Sequence, residues 1–211
     1  AKLRTFIADD AIRGEMVSHV YDVTYGIVKN EVDTIVLIDD SIVRGTTLRD
    51  SIIYILSTLR PKKIIIVSSA PQIRYPDCYG IDMSRMKDFV AFRALVELLR
   101  RDGKFGLMEE TYRQCLEQET LPLDQMVNVV KPLYDLYTDE QISRVISELV
   151  TPEGITPEVE VIYQTIENLH KACPNHHGDW YFSGLYPTPG GTRIVNRAFA
   201  NYMENSDKRA Y

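Results

Sequence analysis

The sequence is short of the residues that mark several common protein classes. Its 211 residues include three cysteines, one tryptophan and four histidines. The cysteines, Cys78, Cys115 and Cys173, are scattered and make no disulfide framework. Positive charge is in deficit: 24 Lys and Arg against 30 Asp and Glu leave a net charge of −6. That excludes a global basic field for nucleic acid, so an anionic ligand has to be held by local groups. No apolar run reaches bilayer length; the densest, Ile64 to Val67, is strand-sized. No signal peptide is legible at Ala1-Lys2-Leu3-Arg4. The expected partners therefore include neither nucleic acid nor a membrane, and the expected compartment is a reducing cytoplasm. Apolar residues are plentiful: 45% of the chain is hydrophobic, enough for a substantial core and one or two domains.

One stretch organises the rest. Apolar Ile35 to Ile38 have strand character, and two carboxylates, Asp39 and Asp40, follow directly. Ser41-Ile42-Val43-Arg44-Gly45-Thr46-Thr47 makes a small-residue loop, and a helical pattern begins behind it at Leu48, Ile52, Ile53 and Leu56. A loop ending at a helix start offers free backbone N–H groups and a positive dipole end, which suits a phosphate. Gly45 permits close approach or positive φ. The two threonines add hydroxyl donors, either of which can also cap the helix. Adjacent carboxylates can accept from vicinal hydroxyls or hold Mg²⁺. An Asx turn with an N-cap would use the same residue types.

The chain reads as α/β at first. A strand at Thr34 to Ile38, a helix over Thr47 to Leu59 and a strand at Lys63 to Ser69 form a βαβ unit, hence parallel strands and a right-handed crossover. Ligands of such sheets sit outside the carboxyl ends of the strands, where Asp39 and Asp40 fall. The Pro- and Gly-bearing loop from Ala70 to Asp82 is its neighbour on that rim, with Gln72, Arg74 and Asp77 as site residues or turn residues. Ahead of this unit, Leu3 to Ile7 reads as a short strand and Ala11 to Val28 as an amphipathic helix. A helix is expected from Ser84 to Arg101, closed by Asp102-Gly103. Residues 1–103 thus form one part, and residues 104–211 a mainly helical extension. In that extension Glu109 to Glu119, Thr138 to Val150, Glu158 to Ala172 and Asn196 to Glu204 read as helices, and Cys173 to Gly191 as irregular. Cys173, His176 and His177 lie close together but lack a second ligand pair, which favours a polar loop over zinc. The Trp180, Tyr181, Phe182 and Tyr186 cluster is read as a packed anchor for the C-terminal segment rather than a stacking platform for bases.

The run Val36 to Thr47 resembles the phosphoribosyl pyrophosphate (PRPP) signature of type I phosphoribosyltransferases. In detail, Asp-Asp-Ser-Ile-Val-Arg-Gly-Thr-Thr is similar to the amidophosphoribosyltransferase family. Arg4-Thr5-Phe6-Ile7, Ala70 to Pro76, Tyr79 to Met83 and Tyr181 to Thr188 are similar to further family segments in the same order. The resemblance implies a partial type I phosphoribosyltransferase fold, a Rossmann-like parallel sheet, and Mg²⁺-dependent pentosyl transfer. In that family, glutamine-derived ammonia displaces pyrophosphate from PRPP to give 5-phosphoribosylamine for purine synthesis. It further implies that Asp39 and Asp40 contact the ribose hydroxyls and Mg²⁺ and do the catalytic electrostatic work. Ser41, Ile42, Val43, Arg44, Gly45, Thr46 and Thr47 would hold the 5′-phosphate of PRPP or ribose 5-phosphate, Arg44 through its backbone.

Departures from the family pattern shape the expectation. The family's N-terminal glutaminase segment and upstream phosphoribosyltransferase elements have no counterpart here, and residue 1 is Ala1. A fragment of a longer, homo-oligomeric enzyme, without turnover by itself, is the expectation. Val17-Ser18-His19-Val20-Tyr21 lacks the basic residues usual in the family helix. Where some members bind an iron–sulfur cluster, this chain has Asp77, Gly178 and Tyr181, so no cluster is expected. A PRPP-sensing regulator that has lost catalysis is one alternative. A phosphoribosyltransferase acting on a purine or pyrimidine base is another.

Overall fold

A computed structural model describes residues 26–78, 83–176 and 178–210. The expected strand at 3–7 and the helix at 11–28 lie outside these, apart from Gly26 to Val28, which form a turn and bend.

The core element is a parallel sheet of three strands, β1 (Thr34–Asp39), β2 (Lys63–Ser68) and β3 (Glu158–Tyr163), in that order. Registers are regular: Asp39 lies opposite Ser68, and Ser68 opposite Tyr163. After β1 the chain enters a helical turn at Thr46, which runs through a π-helical stretch, Leu48–Ile52, into α1 (Ile53–Ser57). Next come a 3₁₀ turn, Met86–Asp88, and α2 (Val90–Arg101). The helical run continues with α3 (Gly106–Gln118), α4 (Lys131–Tyr134) and α5 (Asp139–Val150). Beyond β3 lie α6 (Ile166–Ala172), α7 (Trp180–Ser183) and α8 (Pro189–Met203).

The α/β expectation therefore stands, with one correction. The span from Glu158 to Ala172 is not one helix: its first half is β3, and only Ile166–Ala172 is helical. Val159, Val161 and Tyr163 alternate with Glu158, Glu160 and Ile162, and β-branched alternation suits a pleated strand. Pairing with β2 satisfies that backbone, and Ser147 Oγ accepts the Val161 N–H at 2.9 Å. Thr165 then caps α6 by accepting from the Asn168 N–H. The sheet thus takes a strand from beyond residue 103, and the two-part division is kept as a proposal. The expected helix from Ser84 is interrupted at Phe89, whose extended backbone (φ −80°, ψ 123°) turns the Val90 N–H toward the Val43 carbonyl. The last helix begins earlier than expected, at Pro189, because proline is well suited to a first helical turn and Thr188 caps it.

Both crossovers step the same way across the sheet, so right-handed connections put their helices on one face. Burial agrees. Ile64, Ile66, Ser68 and Val161 on that face are buried, while on the other face Val36, Ile38 and Ile162 are 56%, 74% and 43% exposed. The covered face continues into a helical core in which Phe92 meets Phe199 and Tyr202 edge-on, at centroid separations of 6.0 and 4.8 Å. Helix α5 is set by a capping box: Thr138 accepts from the Gln141 N–H at 3.2 Å, and Gln141 accepts from the Thr138 N–H at 2.9 Å. Thr138→Ala is expected to cost about 1 kcal/mol, read as a lower urea midpoint at unchanged m-value.

Candidate functional site

The carboxyl end of β1 is fixed by the chain that follows β2. The Ser69 and Ala70 N–H groups donate to the Asp39 and Asp40 carbonyls at 2.9 and 3.1 Å, so the β1–β2 ladder continues under the acid pair. This makes Ala70 the rim neighbour expected of it. Asp39 Oδ1 accepts from the Asp40 N–H, and Asp40 Oδ1 from the Ser41 N–H. The two carboxylates also lie close enough to interact with each other, and their other oxygens accept from no N–H group among the described residues. Asp39 is half-buried and Asp40 exposed. Burial raises the Asp39 carboxyl above the usual aspartate range, the Asp40 N–H opposes that, and the charge of Asp40 adds to it.

Beyond the acids, three successive loop carbonyls are taken. The Val43 carbonyl accepts from the Val90 N–H at 2.8 Å, and that of Gly45 from the Arg49 N–H at 3.0 Å. The Arg44 carbonyl accepts from Arg93 Nη2. Gly45 has φ +71°, and a Cβ there would stand 2.8 Å from Val150 Cγ1, so both its conformation and its packing call for glycine. Thr46 opens the helical turn, so the first N–H groups of that turn have no intrahelical acceptor. Thr47 makes no capping bond. The hydroxyls of Ser41, Thr46 and Thr47 thus remain uncommitted among the described residues.

Mg²⁺ favours oxygen donors and is commonly bound through one or two carboxylates plus substrate phosphates. The adjacent carboxylates of Asp39 and Asp40 fit that donor set. No group of three or more His, Cys, Asp or Glu side chains converges for a metal among the described residues.

The other rim residues are committed elsewhere. Gln72 Nε2 donates to the Asp139 carbonyl and to Ser143 Oγ, both at 2.8 Å. Arg74 pairs with Asp139, donates to Gln72 Oε1 and lies 5.2 Å from the Tyr134 ring centroid. Asp77 accepts from the Tyr181 hydroxyl at 3.0 Å. The Tyr181 carbonyl takes the N–H groups of Arg74 and Tyr75, and the Tyr186 hydroxyl donates to the Pro76 carbonyl. The aromatic cluster is thus the expected anchor: it pins the segment from Arg74 to Asp77 to the C-terminal part. Cys173 and His176 are exposed, and His177 lies outside the described residues.

Two residues escaped the sequence reading. Arg93, on α2, touches the loop through the Arg44 carbonyl. Tyr163 ends β3 in the row of Asp39 and Ser68, its hydroxyl oxygen buried without a hydrogen-bond partner among the described residues. Neither stands near the signature in sequence, and no local pattern marks them.

Comparison with known proteins returns one name repeatedly. The chain is 47% identical over 58 residues to the amidophosphoribosyltransferase of Pasteurella multocida, 28% of this chain and 11% of that enzyme. It is 42% identical over 84 residues to that of Escherichia coli, covering 39% and 16%. For Bacillus subtilis the identity is 35% over 100 residues, covering 47% and 20%. This stretch resembles amidophosphoribosyltransferase. The match to amidophosphoribosyltransferases extends over bacteria, fungi and an archaeon. The chain spans no more than a fifth of the length of these three amidophosphoribosyltransferases. No family model matches. No helix among the described residues is long and apolar enough to cross a membrane.

Proposed function

We propose that the loop from Ser41 to Thr47 holds the 5′-phosphate of PRPP or ribose 5-phosphate, and that Asp39 and Asp40 face its ribose hydroxyls and Mg²⁺. One juxtaposition carries this reading. Two adjacent carboxylates stand at a strand end, directly before a loop whose Val43, Arg44 and Gly45 carbonyls are satisfied and whose Ser41, Thr46 and Thr47 hydroxyls are not, among the described residues. Uncommitted donors at a helix start favour a dianion, and carboxylates favour the hydroxyl and cation side of the same ligand.

The parent activity that fits is amidophosphoribosyl transfer: 5-phosphoribosylamine made from PRPP and glutamine-derived ammonia for purine synthesis. Ammonia is already a nucleophile, so the acid pair serves charge rather than proton abstraction. Negative charge near C1 favours an oxocarbenium-like centre. Mg²⁺, when bound, neutralises charge on the departing pyrophosphate. A cytoplasmic, homo-oligomeric parent whose glutaminase and upstream phosphoribosyltransferase segments complete the site belongs to the same proposal. The chain alone would bind without turning over.

The test is calorimetric titration of PRPP with Mg²⁺ into the wild type and Asp40→Asn. The expected result is Mg²⁺-dependent binding by the wild type and binding about ten-fold or more weaker in the variant, the range for hydrogen bonds to a charged group. Equal affinity in both would remove the acid pair from the ligand site. The changed segment Ser18-His19-Val20 favours a second reading, a PRPP-binding regulator. A full-length parent that binds PRPP without releasing pyrophosphate would select it.

A further inference from the structure

Arg93 is a half-buried guanidinium with no ion pair among the described residues. Its Nη2 donates to the Arg44 carbonyl, and its Nε is buried without a partner. The neighbouring acid is engaged by other arginines. Asp88, whose charge reaches Arg93, is shared by Arg44 at 3.8 Å and Arg85 at 3.9 Å. Burial, together with the charge of Arg49, disfavours the Arg93 cation, and Asp88 only partly offsets that. A cation partly withdrawn from water and unpaired is disfavoured unless an anion joins it. Its position narrows the choice of anion. The carbonyl that Arg93 holds belongs to the loop whose next residues, Gly45 to Thr47, offer unengaged donors. The Val90 N–H, one turn earlier on α2, holds the preceding carbonyl, that of Val43. Helix α2 is therefore the floor of the loop, with Arg93 as its only arginine in the first two turns.

We propose that Arg93 is an unrecognised anion-binding residue that fixes the loop from Ser41 to Thr47 and contributes charge to a phosphomonoester seated on it. A guanidinium suits this because its planar donors engage phosphate oxygens while one arm stays on the loop. The inference rests on the reading of the loop as a phosphate site, and its test separates the two.

Ribose 5-phosphate and inorganic phosphate are titrated, with Mg²⁺ and at two salt concentrations, into the full chain as wild type, Arg93→Met, Arg93→Lys and Asp40→Asn. Arg93→Met is expected to weaken ribose 5-phosphate about ten-fold and to flatten the salt dependence of binding, with Arg93→Lys intermediate. The melting temperature without ligand is expected to hold or rise. If Arg93→Met binds like the wild type while Asp40→Asn does not, the Arg93 inference falls and the loop reading stands. If the wild type binds no ribose 5-phosphate, both fall. If only inorganic phosphate responds to Arg93→Met, the site is not one for a phosphomonoester and the inference is overturned. A measurement on the wild type alone guards against misfolded variants. Ribose 5-phosphate should slow phenylglyoxal modification of Arg93, followed by peptide mass spectrometry, and an absence of protection counts against the proposal.

Discussion

Gly184→Ala is expected to lower the free energy of unfolding by about 3 kcal/mol, combining a strained backbone with overpacking. Gly184 ends α7 with φ +73°, where a Cβ is disfavoured whatever the space. The space is also filled: an added Cβ would stand 2.6 Å from Tyr75 Cζ and 2.8 Å from Asn128 Nδ2. The Tyr75 ring cannot retreat, because it is 1% exposed and packs on Tyr134 at a centroid distance of 5.3 Å. Asn128 is held as well, donating to the Gly184 carbonyl at 3.0 Å. The single tryptophan, Trp180, opens the same short helix and reports on it by fluorescence. Urea unfolding should show a lower midpoint at unchanged m-value. A loss below about 1 kcal/mol would mean that the C-terminal anchor yields and is not the rigid clamp inferred from its packing.

Asp39→Asn is expected to have two opposite effects. Binding of ribose 5-phosphate with Mg²⁺ should weaken about ten- to a hundred-fold, the range for hydrogen bonds to a charged group. The protein without ligand should become more stable at neutral pH. The sign follows from linkage. Burial raises the Asp39 carboxyl in the folded chain, so the native state holds its proton more tightly than the unfolded one. Stability then falls as pH rises from about 3.9, the unfolded value, through the native value, and above that the penalty is complete. Asparagine removes the penalty. The variant's advantage in urea midpoint should therefore be absent near pH 3.5 and present at pH 7. An advantage equal at both pH values would show that the ionised carboxylate is not the source. A residue that costs stability and confers binding is the expected signature of a functional carboxylate.

The parts of the molecule legible in sequence were those whose partners lie nearby along the chain. The βαβ unit, the acid pair at its strand end and the loop donors follow from local pattern, because strand period, turn chemistry and helix start coincide between Ile35 and Leu56. The helix from Thr138 and the anchor role of Tyr181 and Tyr186 were similarly within reach. Long-range pairing was not. Glu158 to Tyr163 carries apolar residues that satisfy a helical period as well as a strand period, and only the free edge of β2 decides between them. Phe89 interrupts a helical pattern because of a hydrogen bond from its neighbour to Val43, far away in sequence. Arg74 read as a rim residue and proved to belong to Asp139. Arg93 carried no sequence signal, since its significance is that of an unpaired charge beside a loop some fifty residues earlier.

The late position of β3 fixes an order of events in folding. Asp39 and Lys63 are 24 positions apart, whereas Ser68 and Glu158 are 90. Closing the longer loop costs roughly 1 kcal/mol more in chain entropy, about two doublings of length, and non-local pairing is slow for the same reason. The first two strands and the loop between them can thus assemble while the rest of the chain is still emerging from the ribosome, with the backbone groups of β2 unpaired along the edge that β3 will occupy. Until the strand ending at Tyr163 arrives, that edge of β2 is open to strands of other chains, the kind of exposed edge at which incomplete folds aggregate.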